Sequence, residues 1–402
     1  MFSQINWVLV NTCVQFAGWG IFSLLLAEVL RDVYHVLCHE VKWLAKWHNK
    51  HHQVYRRDLS IVSVQAYQDS QLYHDVFESA LLVGALSIIT LVVHQMGLWL
   101  GVFYSCTFLY GASVRYFTGK IETDYNHLPG PLQITPSVWW VNRTYHWRHH
   151  FDDVNAYYSG VFPLVDKILG TSLSLKGKTV ALTGASGSLG QALTAELLKH
   201  KAKVVALTTN PEKLAPQTNL KVLSWELGNE AQLQESLEKV DILIINHGVN
   251  VYANRTPEAI ASSYQVNTFS VLRLMDIFLT TVTGPQAKAT KEIWVNTSEA
   301  EVSPALSPLY ELSKRTLGNL VTLKRLDGNC VIRKLILGPF KSKLNPYGLM
   351  SATQVARGIL FFARRDFRNI IVTINPLTYL LFPIKEASTW LYYRIFSKTA
   401  NF

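Results

Sequence analysis

The sequence predicts two parts of different fold class: an all-α, histidine-rich integral membrane part, followed by an α/β part with a doubly wound parallel sheet. The first half contains long apolar runs and 11 of the 13 histidines, and the second half contains a glycine-rich turn between a short apolar strand and a helix. A chain of 402 residues also exceeds the size at which a single core stops growing, about 250–300 residues.

The composition is typical of an ordered protein that contacts membranes. Hydrophobic residues make up 49% of the chain, and the net charge is +10. The basic residues are spread along the chain without a recognised nucleic-acid motif, so we expect no nucleic-acid partner and favour anionic lipid headgroups. The four cysteines lie far apart, which argues against a disulfide framework and against a thiolate metal site.

The apolar runs predict three membrane-spanning helices. Residues 6–30 contain no charged residue except Glu28 and can cross a hydrocarbon core about 30 Å thick. This run lacks a basic start and a small-residue cleavage site, so we expect an anchor and not a removable signal. Residues 76–117 form a second apolar run, interrupted at residues 93–97, which predicts a helical hairpin. Because a hairpin returns the chain to the side it left, residues 35–52 and 127–150 share one face of the membrane, and His94 lies on the other.

The face that carries these histidines is expected to be cytoplasmic. Basic residues crowd it, and the tendency of cytoplasmic loops to be positively charged gives the orientation; they are Lys42, Lys46, Lys50, Arg56 and Arg57. The α/β part then follows on the same side. A fully soluble protein with buried core helices is the alternative, which the length of the runs disfavours.

Nine histidines on this face form a repeated pattern. The arrangement is H-x3-H, then H-x2-H-H, then a further histidine followed by a second H-x2-H-H: His35, His39, His48, His51, His52, His127, His146, His149 and His150. Imidazole is a good ligand for zinc, copper and iron, and repetition makes a chance origin implausible. We predict that all nine are metal ligands, with His74 as a weaker candidate.

This pattern resembles the fatty acid hydroxylase and sterol desaturase superfamily over roughly residues 27–171. The tail of that segment, which contains Asn155, Asp166, Gly170 and Thr171, is also similar. The resemblance implies two iron ions that activate dioxygen and hydroxylate or desaturate a lipid in the membrane, with zinc as another occupant of a purified sample. It also implies a single-electron donor, such as a ferredoxin or a cytochrome. The chain departs from the family in having fewer than its usual four spans.

The second half begins with a candidate nucleotide-binding turn. We predict a linker at residues 173–177, a strand at 178–182, a glycine-rich turn at 183–190 and a helix that begins near Gln191. Glycines allow the backbone to approach a pyrophosphate, and the helix N-terminus offers unpaired N–H donors to it. The predicted cofactor-binding residues of this turn are Gly184, Ser186, Gly187, Leu189 and Gly190.

The following strands indicate which nucleotide binds. The strand at residues 204–207 ends in Thr208-Thr209-Asn210, without the acidic residue that binds the ribose hydroxyls of NAD, so NADP(H) is favoured over NAD(H). Thr208 and Thr209 are predicted to bind the cofactor, with Lys213 nearby. The strand at residues 241–245 leads into Asn246 and Gly248, which are predicted to line the same site.

Ser298, Tyr310 and Lys314 are the candidate catalytic residues. Tyr310 and Lys314 are four apart on a predicted helix, so the ammonium group is expected to lower the pKa of the tyrosine. Ser298 follows a predicted strand at residues 292–296 and can hold a substrate oxygen. Lys314 is also expected to contact the cofactor.

This half resembles the short-chain dehydrogenase/reductase family from about residue 177 to 375. Gly184, Gly187 and Gly190 match the cofactor turn, although their spacing is G-x2-G-x2-G and not G-x3-G-x-G. The resemblance further implies that Asn246 and Gly248 belong to the Asn-Asn-Ala-Gly element, in which His247 replaces an asparagine. It makes Asn267 the catalytic proton-relay asparagine, and Gly338-Pro339 the segment before the nicotinamide contact. The implied domain is a Rossmann fold that interconverts alcohol and carbonyl.

We therefore expect a membrane domain at residues 1–172, a Rossmann domain at 177–375 and an amphipathic C-terminal segment at 376–402, which presses on the membrane or forms an oligomer interface. The expected function is a bifunctional lipid oxidoreductase, in which one half oxidises a C–H bond and the other interconverts alcohol and carbonyl. Conversion of an aldehyde to an alkane, as in plant wax-alkane proteins with similar halves, is one alternative. A nucleotide-binding redox sensor that regulates a membrane partner is another. The lipid, the electron donor and the oligomeric state stay open.

Overall fold

The protein is described from a computed structural model over residues 7–284 and 286–398. Residues 1–6 and 399–402, which belong to the predicted terminal segments, lie outside the described residues. The chain divides into two compact units. The first comprises Met1–Pro131 and Trp139–Thr171, and the second comprises Leu132–Val138 and Ser172–Phe402.

The first unit is all-α, as predicted. Its helices are α1 (Trp7–Glu40), α2 (Lys42–Gln53), α3 (Val64–Ser70), α4 (Phe77–Val93), α5 (Trp99–Thr118), α6 (Arg143–Phe151) and α7 (Leu164–Leu169). A π-helical segment, Gln71–Val76, joins α3 to α4 into one continuous helical stretch. The first unit therefore belongs to the fold class that the apolar runs and the histidine spacing predict.

Three helical stretches of this unit have the length and apolar character needed to cross a membrane: Trp7–Glu40, Val64–Val93 and Met96–Thr118. Small residues bring two of them close together. The Gly101 N–H donates to the Ser23 hydroxyl over 2.9 Å, and a side chain at Gly101 would collide with the backbone of Ser23. Close approach at small residues is a common way for membrane helices to pack. His94 ends α4 in the left-handed conformation, at a φ of 56°, in the predicted hairpin turn.

The second unit is a doubly wound α/β fold, as predicted. All seven strands are parallel and lie in the order β3-β2-β1-β4-β5-β6-β7. The strands are β1 (Thr179–Thr183), β2 (Lys203–Thr208), β3 (Leu220–Ser224), β4 (Ile242–Ile245), β5 (Glu292–Asn296), β6 (Val331–Leu337) and β7 (Asn369–Val372). The strand order reverses between β1 and β4, and ligands of such sheets bind beyond the carboxyl ends of the strands at this point.

Helices connect these strands. They are α8 (Ser188–Lys199), α9 (Gln234–Glu238), α10 (Pro257–Tyr264), α11 (Ser270–Thr280), α12 (Ala287–Thr290), α13 (Pro308–Arg325), α14 (Ala352–Ala363) and α15 (Pro376–Phe396). Apolar side chains of the strands are buried on both faces of the sheet, in two core clusters. Burial on both faces explains why β4 consists entirely of isoleucine and leucine, since crossover helices cover a parallel sheet on each side.

Three local predictions differ from the structure. Leu173 and Leu175, in the predicted linker, are buried in the core of the second unit, because their apolar side chains pack against the sheet cluster. The segment Leu132–Val138 also belongs to the second unit, where the Lys288 ammonium donates to the Gln133 carbonyl over 2.9 Å. Helix α8 begins at Ser188, three residues before the predicted start at Gln191, because Gly187 serves as its N-cap.

Candidate functional site

The nine predicted metal ligands come together in two groups of the first unit. The five-histidine cluster consists of His35, His39, His48, His52 and His149. The four-histidine cluster consists of His51, His127, His146 and His150. Within each cluster, one ligand nitrogen from every residue lies within 4.8 Å of all the others.

The ring nitrogens of the five-histidine cluster are paired in a way that favours a cation. His35 Nδ1 lies 2.6 Å from the Tyr158 carbonyl oxygen, and His149 Nδ1 lies 2.7 Å from the Ala156 carbonyl oxygen. A carbonyl oxygen only accepts hydrogen bonds, so both rings carry their proton on Nδ1. Their Nε2 atoms then present lone pairs to one another across 3.0 Å. A metal ion between them resolves this repulsion, and the fixed tautomer is the one that a histidine ligand needs.

The four-histidine cluster is organised by a carboxylate. The Asp124 carboxylate lies 2.7 Å from His127 Nδ1 and accepts hydrogen bonds from the hydroxyl groups of Tyr55 and Tyr67. Burial by itself would raise the pKa of Asp124. The charge of His127 and the hydrogen bonds outweigh the effect of burial, so the pKa lies below its ordinary value. An ionised carboxylate behind a histidine orients the ring and increases its basicity as a ligand.

Three ligand nitrogens of this cluster form a close triangle. The Nε2 atom of His127 lies 2.8 Å from that of His146 and 3.1 Å from that of His150, and the latter two are 3.1 Å apart. Nitrogens bound to one ion at about 2.1 Å and roughly at right angles are themselves about 3.0 Å apart, whereas a tetrahedral zinc site spaces them by about 3.4 Å. The three nitrogens are therefore close enough to bind one ion, and metal binding at both clusters stays a prediction.

The clusters also favour the neutral imidazole that metal binding requires. Burial, followed by the neighbouring imidazoles, lowers the pKa of His149 to about 3. The same causes hold the pKa values of His51, His146 and His150 well below the ordinary value. These ligands are therefore unprotonated at neutral pH, and their lone pairs are available to an ion.

The two H-x2-H-H motifs are each divided between the clusters, which the spacing alone did not predict. On α2, His48 and His52 join the five-histidine cluster, and His51 joins the other. On α6, His149 joins the five-histidine cluster, and His146 and His150 join the other. Two histidines four positions apart lie on one face of a helix, as His48 and His52 do. The histidine just before the second of them, such as His51, points about 100° away from that face.

Several groups around the clusters were missed or only weakly predicted. His74, which was the weaker candidate ligand, forms a third candidate metal-binding group with His51 and Asp75. Asp124 was missed, although an acidic residue three positions before His127 was a usable signal. The carbonyl groups of Ala156 and Tyr158 could not be predicted, because backbone oxygens leave no mark in the sequence. His94 belongs to neither cluster among the described residues.

The predicted cofactor turn of the second unit lies between β1 and α8. Gly184 adopts a φ of +64°, and a side chain at Gly190 would collide with the carbonyl oxygen of Gly184. The first N–H groups of α8 have no partner inside the helix and can bind a phosphate. The Leu189 side chain is buried in the core, so only its backbone N–H can serve the predicted contact. These residues fit a dinucleotide.

The other predicted cofactor residues lie at the carboxyl ends of neighbouring strands. The Thr208 hydroxyl donates to the Ser186 hydroxyl over 2.7 Å, which joins the end of β2 to the glycine turn. Thr209 is exposed beside it. At the end of β4, the Asn246 side-chain oxygen accepts from the Asn296 amide over 2.9 Å.

The predicted catalytic residues are close together. Lys314 Nζ lies 5.9 Å from the centre of the Tyr310 ring and donates to the Asn296 carbonyl over 2.8 Å. A side chain at Gly248 would lie 3.1 Å from the Asn267 side-chain oxygen and 3.9 Å from Lys314 Nζ. A larger residue at position 248 would therefore crowd Asn267 first. The catalytic roles stay predictions.

The electrostatics of this site correct one expectation. Burial raises the pKa of Tyr310, and a hydrogen bond to Ser298 lowers it only in part. Lys314 was expected to lower this pKa, but its ammonium group points to the Asn296 carbonyl. Burial lowers the pKa of Lys314 to about 8, against the attraction of Glu301. In this arrangement Ser298, and not Lys314, favours the ionised form of Tyr310.

Comparisons with known proteins agree with this architecture. The NAD(P)H-binding family matches residues 184–292. The monoglucosyldiacylglycerol epimerase of Synechocystis sp. is 51% identical over 95% of this chain and 97% of its own length. The chain belongs to the family of this epimerase. This membership covers both units and confirms the prediction of an enzyme.

More distant relatives cover smaller parts of the chain. A ketoacyl reductase of Nostoc sp. is 29% identical over 26% of this chain and 43% of its own length. A short-chain dehydrogenase from Burkholderia cenocepacia, solved with NADP, is 17% identical and covers 56% of this chain and 100% of its own, with a TM-score of 0.47. A short-chain dehydrogenase from Sphingobium yanoikuyae, solved with NADPH, is 17% identical over 56% of this chain and 99% of its own, with a TM-score of 0.45.

For this member of the epimerase family, the C-terminal resemblance is confirmed: the second unit is an NAD(P)-binding oxidoreductase domain. The N-terminal resemblance to hydroxylases and desaturases stays a prediction. Its two histidine clusters could each hold a metal ion.

Proposed function

We propose that this protein inverts one ring carbon in the sugar headgroup of a glucosyl diacylglycerol, with NADP(H) bound to its second unit. The observation that carries the proposal is the 51% identity to the monoglucosyldiacylglycerol epimerase, which extends over 95% of this chain. The three apolar helices support it, because a diacylglycerol substrate resides in a membrane.

Inversion of a carbinol carbon requires its C–H bond to break and to form again on the opposite face. When bound, the oxidised nicotinamide would supply an acceptor for the hydride of this bond, and return of that hydride to the opposite face would leave the cofactor unconsumed. The sugar passes through a ketone at that carbon, which is planar and can receive hydride from either face. The net reaction is redox-neutral.

Tyr310 is the residue proposed to move the hydroxyl proton in both directions. It accepts the proton as the alcohol becomes a ketone and returns it as the epimeric alcohol forms. Ser298 shares a hydrogen bond with Tyr310. Its hydroxyl group is therefore placed to make a second contact to the same substrate oxygen. Asn267 donates to the Val249 carbonyl and the Ser313 hydroxyl, over 2.9 and 3.0 Å, and so holds the loop after β4 against α13.

NADP(H) is the proposed cofactor in preference to NAD(H). The strand β2 ends at Thr208 and is followed by Thr209, without a carboxylate at these positions that would repel a 2′-phosphate. Lys213 is close to this position, since its ammonium donates to the Asn210 side chain over 3.0 Å. A titration of the purified protein with both cofactors tests this point, and tighter binding of NAD(H) would contradict it.

A second candidate activity is supported by the histidine clusters. In it, the first unit binds two iron ions and hydroxylates or desaturates a lipid C–H bond, and the second unit interconverts the resulting alcohol and carbonyl. Such iron centres couple dioxygen to oxidation of an unactivated C–H bond and consume two electrons, which a ferredoxin or a cytochrome would deliver. Both metal sites would face the cytoplasm if the basic residues of α2 follow the usual charge bias.

The two candidates differ in their need for oxygen and in the mass of the product. We would incubate the full-length protein in lipid nanodiscs with NADP+ and a defined glucosyl diacylglycerol, with and without oxygen. The released hexose is identified by chromatography and the lipid by mass spectrometry. Epimerisation is expected to give a lipid of unchanged mass with a different hexose, in both atmospheres. In D2O, a returned hydride leaves no deuterium on carbon.

Two variants show which unit catalyses the observed reaction. Tyr310→Phe is expected to abolish epimerisation and to leave cofactor binding within about threefold, whereas Tyr264→Phe, a tyrosine at the end of α10, is the control. An oxygen-dependent product that is heavier by one oxygen and persists in Tyr310→Phe would support the second candidate. Deuterium on the inverted carbon would contradict the hydride mechanism.

A further inference from the structure

The C-terminal helix α15 has two faces of different character. Thr378, Phe382 and Glu386 are buried and face the body of the second unit. The Glu386 carboxylate accepts hydrogen bonds from Lys334 over 2.6 Å and from Arg325 over 3.0 Å. The first half of the helix is therefore held to the domain by a buried ion network.

The opposite face is apolar and exposed. Its aliphatic side chains recur at a spacing of three, four or seven residues, which is one stripe along a helix. They are Leu377, Leu380, Ile384, Leu391 and Ile395, each 53–62% exposed. No described residue between 387 and 398 is buried, so the second half of the helix extends away from the domain core.

The charges beside this stripe have one sign. Arg394 and Lys398 are exposed, whereas the single acidic residue of α15, Glu386, is buried and paired on the other face. The Arg394 guanidinium lies 4.9 Å from the centre of the Trp390 ring, and the rings of Tyr392 and Phe396 are 5.0 Å apart. Apolar side chains, aromatic rings and cations together are the composition of helices that lie in a membrane interface.

We infer that α15 docks on the surface of an anionic lipid bilayer, with the stripe from Leu377 to Ile395 in the interface and Arg394 and Lys398 at the lipid phosphates. The three apolar helices of the same chain have the character of membrane spans, so a bilayer is the surface to which the second unit is tethered. A second copy packed with its helix parallel to α15 would bring the cations of two stripes together, whereas anionic lipids neutralise them. The inference holds for either candidate reaction.

Site-specific fluorescence on the full-length protein tests this docking. Cys13 and Cys106 are replaced by serine, and the buried Cys38 and Cys330 are kept. Leu391→Cys then carries an environment-sensitive fluorophore in nanodiscs that hold one copy of the protein and contain phosphatidylglycerol with brominated acyl chains. The control is Glu235→Cys, an exposed position on α9 of the same unit.

Brominated lipid is expected to quench the Leu391→Cys label at least twofold more than the Glu235→Cys label, and aqueous iodide is expected to do the reverse. Replacing phosphatidylglycerol by phosphatidylcholine, or changing Arg394→Gln and Lys398→Gln, should weaken the lipid quenching. Equal iodide quenching at both labels would overturn the inference. A spectral shift at Leu391→Cys that appears only in discs with two copies would overturn it in favour of a dimer interface.

Discussion

His35 and His149 face each other with their Nε2 atoms 3.0 Å apart, while the Nδ1 of each ring lies against a backbone carbonyl oxygen. The two residues are 114 positions apart and come from α1 and α6. Two lone pairs cannot share this distance in a stable protein without a cation or a proton. Burial disfavours the proton at His149, so we expect a metal ion between the two nitrogens.

The first prediction concerns this pair. His149→Ala removes a ligand of the five-histidine cluster and is expected to lower the metal content of the purified protein by about one ion per chain. The measurement is elemental analysis by plasma mass spectrometry after dialysis. His94→Ala, at an exposed histidine outside both clusters, is the control and should keep the wild-type content. Equal metal content in both variants would remove the five-histidine cluster from consideration.

A second prediction concerns Asp166, which holds the loop that presents the carbonyl groups to His35 and His149. Its carboxylate accepts from the Tyr158 N–H over 2.9 Å and from the Ser159 N–H over 2.8 Å. Asp166→Asn replaces an acceptor by a donor at one of these contacts. We expect a loss of metal affinity of roughly tenfold, the lower end of the effect of groups behind metal ligands.

The readout for Asp166→Asn is a competition titration of the metal against a chelator, so it does not depend on enzyme activity. Asp58→Asn is the control, because the Asp58 carboxylate also binds a backbone N–H, that of Ser60 over 3.0 Å, but is exposed. An affinity unchanged from the wild type would mean that the loop holds its position without the charge of Asp166.

A third prediction tests the cofactor turn. Gly190→Ala places a Cβ against the Gly184 carbonyl and 2.7 Å from Ala185 Cα, which forces α8 away from β1. NADPH affinity, measured by fluorescence titration, is expected to fall at least tenfold. Gly84→Ala is the control, because no atom lies within 4 Å of its new Cβ. Wild-type affinity in Gly190→Ala would show that a cofactor does not need this turn.

A fourth prediction concerns acid stability. Burial, with the charge of Lys314, lowers the pKa of His247 from 6.5 to about 4, against the opposing charge of Glu230. Below pH 6.5 the unfolded chain binds a proton that the folded chain does not. The contribution of His247 to the free energy of unfolding is therefore fully present above pH 6.5 and is lost as the pH falls towards 4.

The variant His247→Asn removes this titration. Each pKa unit corresponds to about 1.4 kcal/mol, so we expect the wild type to lose about 2–3 kcal/mol more than the variant between pH 7 and pH 4. Thermal unfolding of both proteins at the two pH values measures the difference, and the comparison cancels the titration of all other groups. Parallel acid profiles would mean that His247 binds its proton equally in the folded and unfolded states.

Local patterns were sufficient to predict much of this protein. The glycine turn, the apolar strands and the order of Ser298, Tyr310 and Lys314 indicated the α/β fold, because each depends on neighbours in the chain. The predicted strand at residues 292–296 coincides with β5. Predictions failed where burial decided the outcome: Leu173 and Leu175 look like a linker but pack in the core, and the pKa of Tyr310 is raised by its surroundings.

The sequence by itself determined the fold class of both units, the apolar helices and which histidines are candidates for metal binding. These features follow from hydropathy and from spacing along one helix or strand. Only the tertiary structure decided that His149 joins the histidines of α1, that His51 joins His127, and that two backbone carbonyls set the tautomers of His35 and His149. The reason is physical: helical periodicity fixes which side chains share a face, but partners more than 100 residues apart meet only when the whole unit has packed.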